Sequence, residues 1–485
     1  TILDSTFEDS NEVFVPFIEG KMWQREFMRH EGGSINENIP ADKAVELCVR
    51  CPWENGKQHH FQLNLFDGAS SRPHTLDFEG TAPDQGGWPF PGWAYHRVLV
   101  LAEDFGIDQP KSPQLQFISE EADKIGSWEK ELRIAKINPD TGDVQEIPSQ
   151  VLYVNEKADE PEKEKVYSTC QVAFLADVEA GGKGFYGFFY GNPEAKASSY
   201  PTDLTLSEKD GMKWIENDFY KISLHPKSGQ INGFYTKKFA KGDKKGLYNE
   251  TYPLHYNPDV WPRGRNWSHV SDWNPPPNVS TTAGPVCVVH RRWGPLPWTP
   301  EIETEVVYHF FRETPYVLVE STMDIQDDIV ANALRNEEVV VHPETEIDSV
   351  GWKRRNGEIR YKPAELEPGL SRGMLGIVEP DAPYVCLADD QAGFGMAGIR
   401  LDLYSGSRGA APPVVASPIT VFADYGWEFR YWSRSLVYPW GDKNPDIPHV
   451  LNADTYYGEK SAYCLFPIGK GESGKEKLGY LENLS

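Results

Sequence analysis

WIENDFYKISLHPKSGQINGFY, residues 214–235, is written as a hairpin. Tyr220, Ile222 and Leu224 alternate with Lys221, Ser223 and His225, and Lys227-Ser228-Gly229 supplies a turn before Ile231 and Phe234. Apolar/polar alternation on both sides of a turn predicts two antiparallel strands with one buried face. Outward from it, residues 284–294 (GPVCVVHRRWG), 301–325 (EIETEVVYHFFRETPYVLVESTMDI) and 334–344 (LRNEEVVVHPE) read as further long strands. Between them, residues 254–278 (LHYNPDVWPRGRNWSHVSDWNPPPN) form a polar loop rich in Trp and Arg. Indole faces stack on sugar rings while charged groups fix hydroxyls and carboxylates, so this stretch predicts a glycan-handling surface.

The pattern extends through the chain. Residues 1–200 read as one β-rich unit whose strands include AVELCVR, HFQLNLF, CQVAFLADV and GKGFYGFFYGNP, with a hairpin in ELRIAKINPDTGDVQEIPSQVLYV. AKASSYPTDLTLSE, residues 195–208, is small, polar and Pro-containing and marks a boundary. Beyond it the chain stays β, and only residues 328–334 invite a helical reading. No sustained 3.6-residue period, dinucleotide-binding glycine pattern or phosphate loop occurs. The expected fold is all-β: a β-sandwich over 1–200 followed by a large antiparallel supersandwich over 201–485.

A length of 485 residues supports two cores. The net charge of −25 argues against nucleic acid as a partner, and no apolar run is long enough for a membrane span. Six cysteines are too few for a disulfide framework; Cys48 and Cys51 form a C-x-x-C without a second pair to complete a zinc site. The start at Thr1 and the N-x-S/T triplets at Asn249, Asn266, Asn278 and Asn483 suggest an extracellular or periplasmic, secreted protein. No cofactor is required by the sequence. A structural or catalytic calcium ion is left open, with Asp67, Asp77, Glu79 and Asp84 near His59, His60 and His74 as carriers.

NDFYKISLHPKSGQINGFY, GPVCVVHRR, the strand pair in 305–325 and ALRNEEVVVHPE together resemble the galactose-mutarotase-like supersandwich, over about residues 212–470. Domains of that kind occur in aldose epimerases, in several polysaccharide lyases and at the C-terminal side of some glycoside hydrolases. The His-containing, Asn-rich loop of the epimerases has no counterpart here. The resemblance therefore implies a lyase or an accessory sandwich, and no catalytic residue is carried over from it.

Eliminative cleavage of a uronate glycan needs a base, a proton donor and a cation that neutralises the carboxylate. His255, His269, His290, His309 and His342 are five of the 12 histidines, crowded into one region with arginines beside them. His269 or His290 is the expected base, Tyr308 the proton donor, and Arg265 or Arg291 the carboxylate partner. Parity puts Glu338 and His342 on one strand face, where both would meet a ligand. Trp261, Trp267, Trp273 and Trp293, with Trp298 beside them, are candidate sugar platforms, and Arg263, Arg335, Trp432 and Arg434 are further substrate contacts. Each has a blander alternative: Tyr308 as core, His309 and His342 as satisfied sheet histidines, some indoles packed on Pro275, Pro276 or Pro277.

The leading functional expectation is thus a polysaccharide lyase acting on an acidic polysaccharide or oligosaccharide. The alternatives are a glycoside hydrolase using two carboxylates among Glu303, Glu305, Glu337 and Glu338, or a non-catalytic glycan-binding protein.

Overall fold

The computed structural model describes residues 1–89 only as backbone strands, at 2–7, 12–18, 21–22, 45–50, 58–65 and 74–81. From residue 90 it describes the chain apart from 91, 104–107, 139–142, 157–166, 238–244, 249–252, 342–346, 355, 381, 408–418, 426–428, 438–448, 469–477, 479–480 and 482–485. The regular structure among the described residues is almost all antiparallel strand; the helical pieces Ala122–Lys124, Trp128–Glu131 and Val270–Asp272 are single turns. The chain divides into two compact units, Thr1–Ser199 and Tyr200–Ser485.

In the first unit a four-stranded sheet (Val144–Ile147, Arg133–Ile137, Lys183–Tyr190, Tyr95–Ala102) and a three-stranded sheet (Ser149–Glu156, Tyr167–Val178, Gln109–Glu121) enclose a core around Ile134, Val172, Phe174 and Phe188. The expected hairpin forms between Arg133–Ile137 and Val144–Ile147. Past Pro148 the chain leaves that sheet, and Ser149–Glu156 pairs instead with Tyr167–Val178. A proline cannot donate to a ladder, so it suits such a switch.

The second unit carries the site. Its strands, labelled in chain order, are β1 (Tyr220–Leu224), β2 (Ile231–Thr236), β3 (Asp259–Pro262), β4 (Ser268–His269), β5 (Cys287–Leu296), β6 (Thr299–Phe311), β7 (Tyr316–Ile325), β8 (Ile329–Val341), β9 (Phe429–Val437) and β10 (Thr455–Pro467). β1 and β2 form the expected hairpin at the centre of a five-stranded sheet. A nine-stranded sheet runs from Asn278–Ala283 through β5, β6, β7 and β10 to Ile359–Pro363. A seven-stranded sheet runs β4-β3-β8-β9 and on to Ile419–Asp424 and Arg372–Val378.

Phe234 of the five-stranded sheet, Val306 and Phe310 of the nine-stranded, and Leu334, Val339 and Trp432 of the seven-stranded are each fully buried in one shared core. The apolar face of β6 (Ile302, Val306, Phe310) turns inward and takes Tyr308 with it, as its parity demands. The segment that invites a helical reading is the start of β8. Its buried Ile329, Ala331 and Ala333 alternate with the more exposed Val330 and Asn332, a strand period that pairing with β3 selects.

β8 also breaks its own period. Between Asn336 and Val339 three steps on β8 match two on β9, and Glu337 takes a left-handed φ of 48°. This is a β-bulge with a non-glycine residue in the left-handed region, which costs of order 1 kcal/mol or more. Its effect is geometric: Arg335 and Glu338, three apart and on opposite faces of a regular strand, arrive on the same face.

Candidate functional site

Cross-strand pairing builds the site. His269 on β4 lies opposite Asp259 on β3, and Asp259 lies opposite Arg335 on β8, so the three form one row across three strands. Arg335 donates through Nε to Asp259 Oδ1 at 2.9 Å and through a second nitrogen to Oδ2. Its Nη1 lies 2.7 Å from Glu338 Oε2, the carboxylate that the bulge delivers. Asn257 Oδ1 accepts from the Glu338 backbone N–H at 2.6 Å, fixing that residue from the preceding loop. One planar guanidinium therefore clamps two carboxylates, a geometry that lysine cannot reproduce.

Above this clamp sits an aromatic layer. The Arg335 guanidinium lies 4.2 Å from the Trp267 ring centre, Trp267 stacks on Trp261 at 5.5 Å, and Tyr256 meets the His269 ring edge-on at 5.0 Å. Asp259 is fully buried and Arg335 and Glu338 nearly so, whereas Trp261, Trp267, Tyr256 and His269 are partly exposed. His269 is bracketed by carboxylates, with Nε2 3.5 Å from Asp259 and Nδ1 3.2 Å from Asp272.

The charges perturb one another. Burial pulls the His269 imidazole down, but its bond to Asp272 and the charge of Asp259 outweigh burial and raise it above the ordinary histidine value. Burial pushes Glu338 up to about 7; Arg335 opposes this and Asp259 reinforces it. Burial likewise works against Arg335, yet Asp259 and Glu338 hold it firmly protonated.

Five sequence candidates thus come together: Trp261, Trp267, His269, Arg335 and Glu338. Asp259, the residue that joins them, was missed, together with Tyr256 and Asp272. The signal for Asp259 is present, an acid in N-P-D-V-W-P, but its partners are set by register, which spacing does not reveal.

The other candidates lie elsewhere. Tyr308 is fully buried, its hydroxyl 2.6 Å from His255 Nδ1, and His290 is buried beside it with Nδ1 2.8 Å from the Thr281 hydroxyl. Arg265 spends both terminal nitrogens on Glu301, at 2.6 and 3.1 Å. Arg291 bonds Glu305 and lies 4.4 Å from the Trp293 ring centre, which places Trp293 on strand β5 and not in a loop. Arg263 is exposed. Trp273 is buried and donates to Pro295 O at 3.0 Å. Trp432 and Arg434 are fully buried, Arg434 between Glu337 and Glu459. His342 lies outside the described residues.

Trp298, by contrast, is 70% exposed with a left-handed φ of 57° at the β5–β6 turn. The Ser268 hydroxyl donates to Pro297 O, and the Arg265–Glu301 pair joins the same two segments. The turn bearing Trp298 is thereby fastened to the loop bearing Trp267.

Among the described residues no three His, Cys, Asp or Glu side chains are grouped to hold a metal ion. The suggested calcium carriers of residues 59–84, and the Cys48–Cys51 side chains, lie outside the described side chains. Cys170, Cys386 and Cys464 are buried free thiols, and Cys287 is buried as well. No described helix is long and apolar enough to cross a membrane.

No protein-family model matches the chain, and no curated protein matches it. Solved structures do. A glycosyl hydrolase family 38 protein from Enterococcus faecalis is 12% identical, with a TM-score of 0.45, over 80% of this chain and 47% of that one. An alpha-mannosidase from E. faecalis V583 is 12% identical, with a TM-score of 0.44, over 82% and 46%. A putative aldose 1-epimerase from Escherichia coli K12 is 10% identical, with a TM-score of 0.26, over 55% and 99%. The chain spans just under half the length of the first two.

The expectation of a polysaccharide lyase is corrected here. These neighbours bear glycoside hydrolase and epimerase titles, not lyase titles. The geometry agrees: His269 is partly exposed, Tyr308 and His290 are enclosed, and Arg265 and Arg291 already hold carboxylates. Base, donor and cation do not meet.

Proposed function

We propose that the second unit binds a neutral glycan on the Trp261–Trp267 face beside His269, and that the chemistry served there is glycosidic hydrolysis. The supporting observation is Glu338: a carboxyl pushed up to about 7 and bonded to Arg335, whose guanidinium lies under the Trp267 ring. A carboxyl with that affinity keeps its proton near neutrality and can give it to a leaving oxygen. An acidic glycan has less support than a neutral one, because Arg265 and Arg291 are each paired with a glutamate. Trp298 extends the platform for longer chains.

A second reading, a non-catalytic glycan-binding protein, draws support from Arg335 itself, since it occupies both carboxylates and Asp259 is fully buried.

Calorimetric titration with neutral oligosaccharides, together with reducing-end release, separates the two. The hydrolase reading expects new reducing ends without an ultraviolet-absorbing double bond, abolished in Glu338→Gln while binding persists. Trp267→Ala should weaken binding about tenfold, the ~1–1.5 kcal/mol of a lost stacking contact. Trp298→Ala should weaken only the longer ligands. Binding without turnover on every glycan bound moves the assignment to the second reading. Absence of binding to any neutral glycan sinks both.

A further inference from the structure

The first unit holds a cavity of about 330 Å³ beside the loop of residues 125–129, where the strand Ser149–Glu156 nears its end and the strand Tyr167–Val178 begins. Val154 and Ser168 line it from those strands, and Ser127, Trp128 and Glu129 from the loop. The volume falls at the small end of the ~300–1,000 Å³ usual for ligand pockets, room for one ring but not for a chain. The loop is held in place: the buried Glu131 carboxylate accepts from the Gly126 and Ser127 backbone N–H groups at 2.9 Å each, and the Trp93 indole donates to Glu131 O. A site fixed in this way loses little freedom when a ligand enters.

Two polar groups of the lining have capacity to spare, one as donor and one as acceptor. The Trp128 indole N–H donates to Ser168 Oγ at 2.8 Å, and Ser168 is 6% exposed with no described acceptor for its own hydrogen. Ser127 Oγ donates to Glu129 Oε2 at 3.0 Å, which leaves the other oxygen of that exposed carboxylate open. Burial first, and the Glu129 charge second, push the Cys170 thiol up to about 12, so the field of the carboxylate reaches inward here. An anion would meet that field with both loop amides already spent on Glu131. A cation would meet the Ser168 hydrogen and find a single carboxylate in the lining. A neutral hydroxyl both donates and accepts, so a pair of them satisfies Glu129 and Ser168 together. Ile125 and Val154 offer aliphatic surface to the C–H groups between such hydroxyls.

We propose that this cavity is a further carbohydrate site, taking a single neutral sugar ring, with one hydroxyl donating to Glu129 and another accepting from Ser168. It rests on the first unit alone and is independent of the Trp261–Trp267 platform. Its ligand is one ring or the end of a chain, whereas the platform is an open face.

The test uses the full-length chain carrying Trp267→Ala, which weakens the platform of the second unit. Glucose, galactose, mannose and N-acetylglucosamine are titrated singly under ligand-observed NMR, with methylammonium and inorganic phosphate as charged controls. At least one sugar should saturate a single site, with the affinity it has for the wild type. Adding Glu129→Ala should weaken it about tenfold or more, as for a lost hydrogen bond to a charged group. Glu129→Gln should weaken it less, because the amide oxygen still accepts, and Ser168→Ala should weaken it through the lost donor. No binding of any of the four sugars overturns the proposal. Binding that Trp267→Ala alone removes also overturns it, by returning the sugar to the second unit. So does binding that neither Glu129→Ala nor Ser168→Ala changes, or displacement of the sugar by methylammonium or phosphate. If Ser168→Ala does not fold, the two variants at the exposed Glu129 still decide the matter.

Discussion

Glu337 and Glu338 are neighbours in sequence, and each meets an arginine and a second carboxylate, yet the two trios serve different ends. Glu337 meets Arg434 at 3.1 Å, and Arg434 meets Glu459 at 2.7 Å, with every member at most 2% exposed. Arg434 belongs to the seven-stranded sheet and Glu459 to the nine-stranded, so this trio ties one sheet to the other. The second trio, Asp259–Arg335–Glu338, stays within one sheet and is roofed by a partly exposed indole and imidazole. The same three charges make a strut in one place and a site floor in the other. What separates them is whether water and ligand can approach.

The strut should be the more costly to break. Arg434→Met leaves Glu337 and Glu459 facing each other without a cation, and should cost ~3–5 kcal/mol in urea unfolding. A loss under ~1 kcal/mol would mean that the two carboxyls share a proton well enough to stand alone. Burial and then Glu459 already push Glu337 well above the usual carboxylate range.

Arg335→Met should cost less, ~2–4 kcal/mol, because the fully buried Asp259 still has His269 Nε2 3.5 Å away as a second positive partner. It should also abolish glycan binding by releasing Trp267. Arg335→Lys should restore part of the stability but not the binding, since one ammonium cannot serve both carboxylates at once.

The pH dependence of folding sharpens the contrast. Glu338 titrates higher in the folded protein, at about 7, than in the unfolded chain, so its ionisation opposes folding. Its contribution is greatest below the unfolded value, declines as pH rises from about 4.5 to 7, and is flat above. His269 is also raised when folded, so its stabilisation is complete below its unfolded value and lost as pH rises through the folded one. Glu338→Gln should remove the first decline, of ~1–3 kcal/mol, and leave the second. A profile unchanged by that variant would show that Glu338 does not titrate in this range.

The smallest effect belongs to the exposed arginines. Arg265→Lys loses the fork to Glu301 on the surface and should cost under ~1 kcal/mol, with glycan binding by the isolated Trp267 platform unchanged. Large loss there would return Arg265 to the site itself.

Sequence period carried far in this molecule and stopped at identifiable points. The β1–β2 hairpin, the β6–β7 pair and the shared face of Trp432 and Arg434 follow from alternation alone. Alternation says which residues share a face but not which face meets solvent, so Tyr308, His290, Trp432 and Arg434 are site candidates by composition and interior by structure. Polar tips did not betray exposure, because the fold satisfies some of them internally, as Pro295 O does for Trp273. Trp267 and His269 were recognisable by type; their assembly with Asp259 and Arg335 depends on a register that no local pattern encodes.

The extra residue in β8 carries a constraint on change. A strand with a phase slip is two reading frames spliced together, and at the slip between Asn336 and Val339 the splice is Glu337. Deleting it would take the strut's own glutamate and leave unmatched the extra residue that β9 carries between Ser435 and Val437, although Arg335 and Glu338, then two apart, would still share a face. A deletion at this point is therefore penalised through the strut and through the matching irregularity of β9. A four-residue string, Arg335-Asn336-Glu337-Glu338, is thus the indivisible unit through which strut and site floor are inherited together.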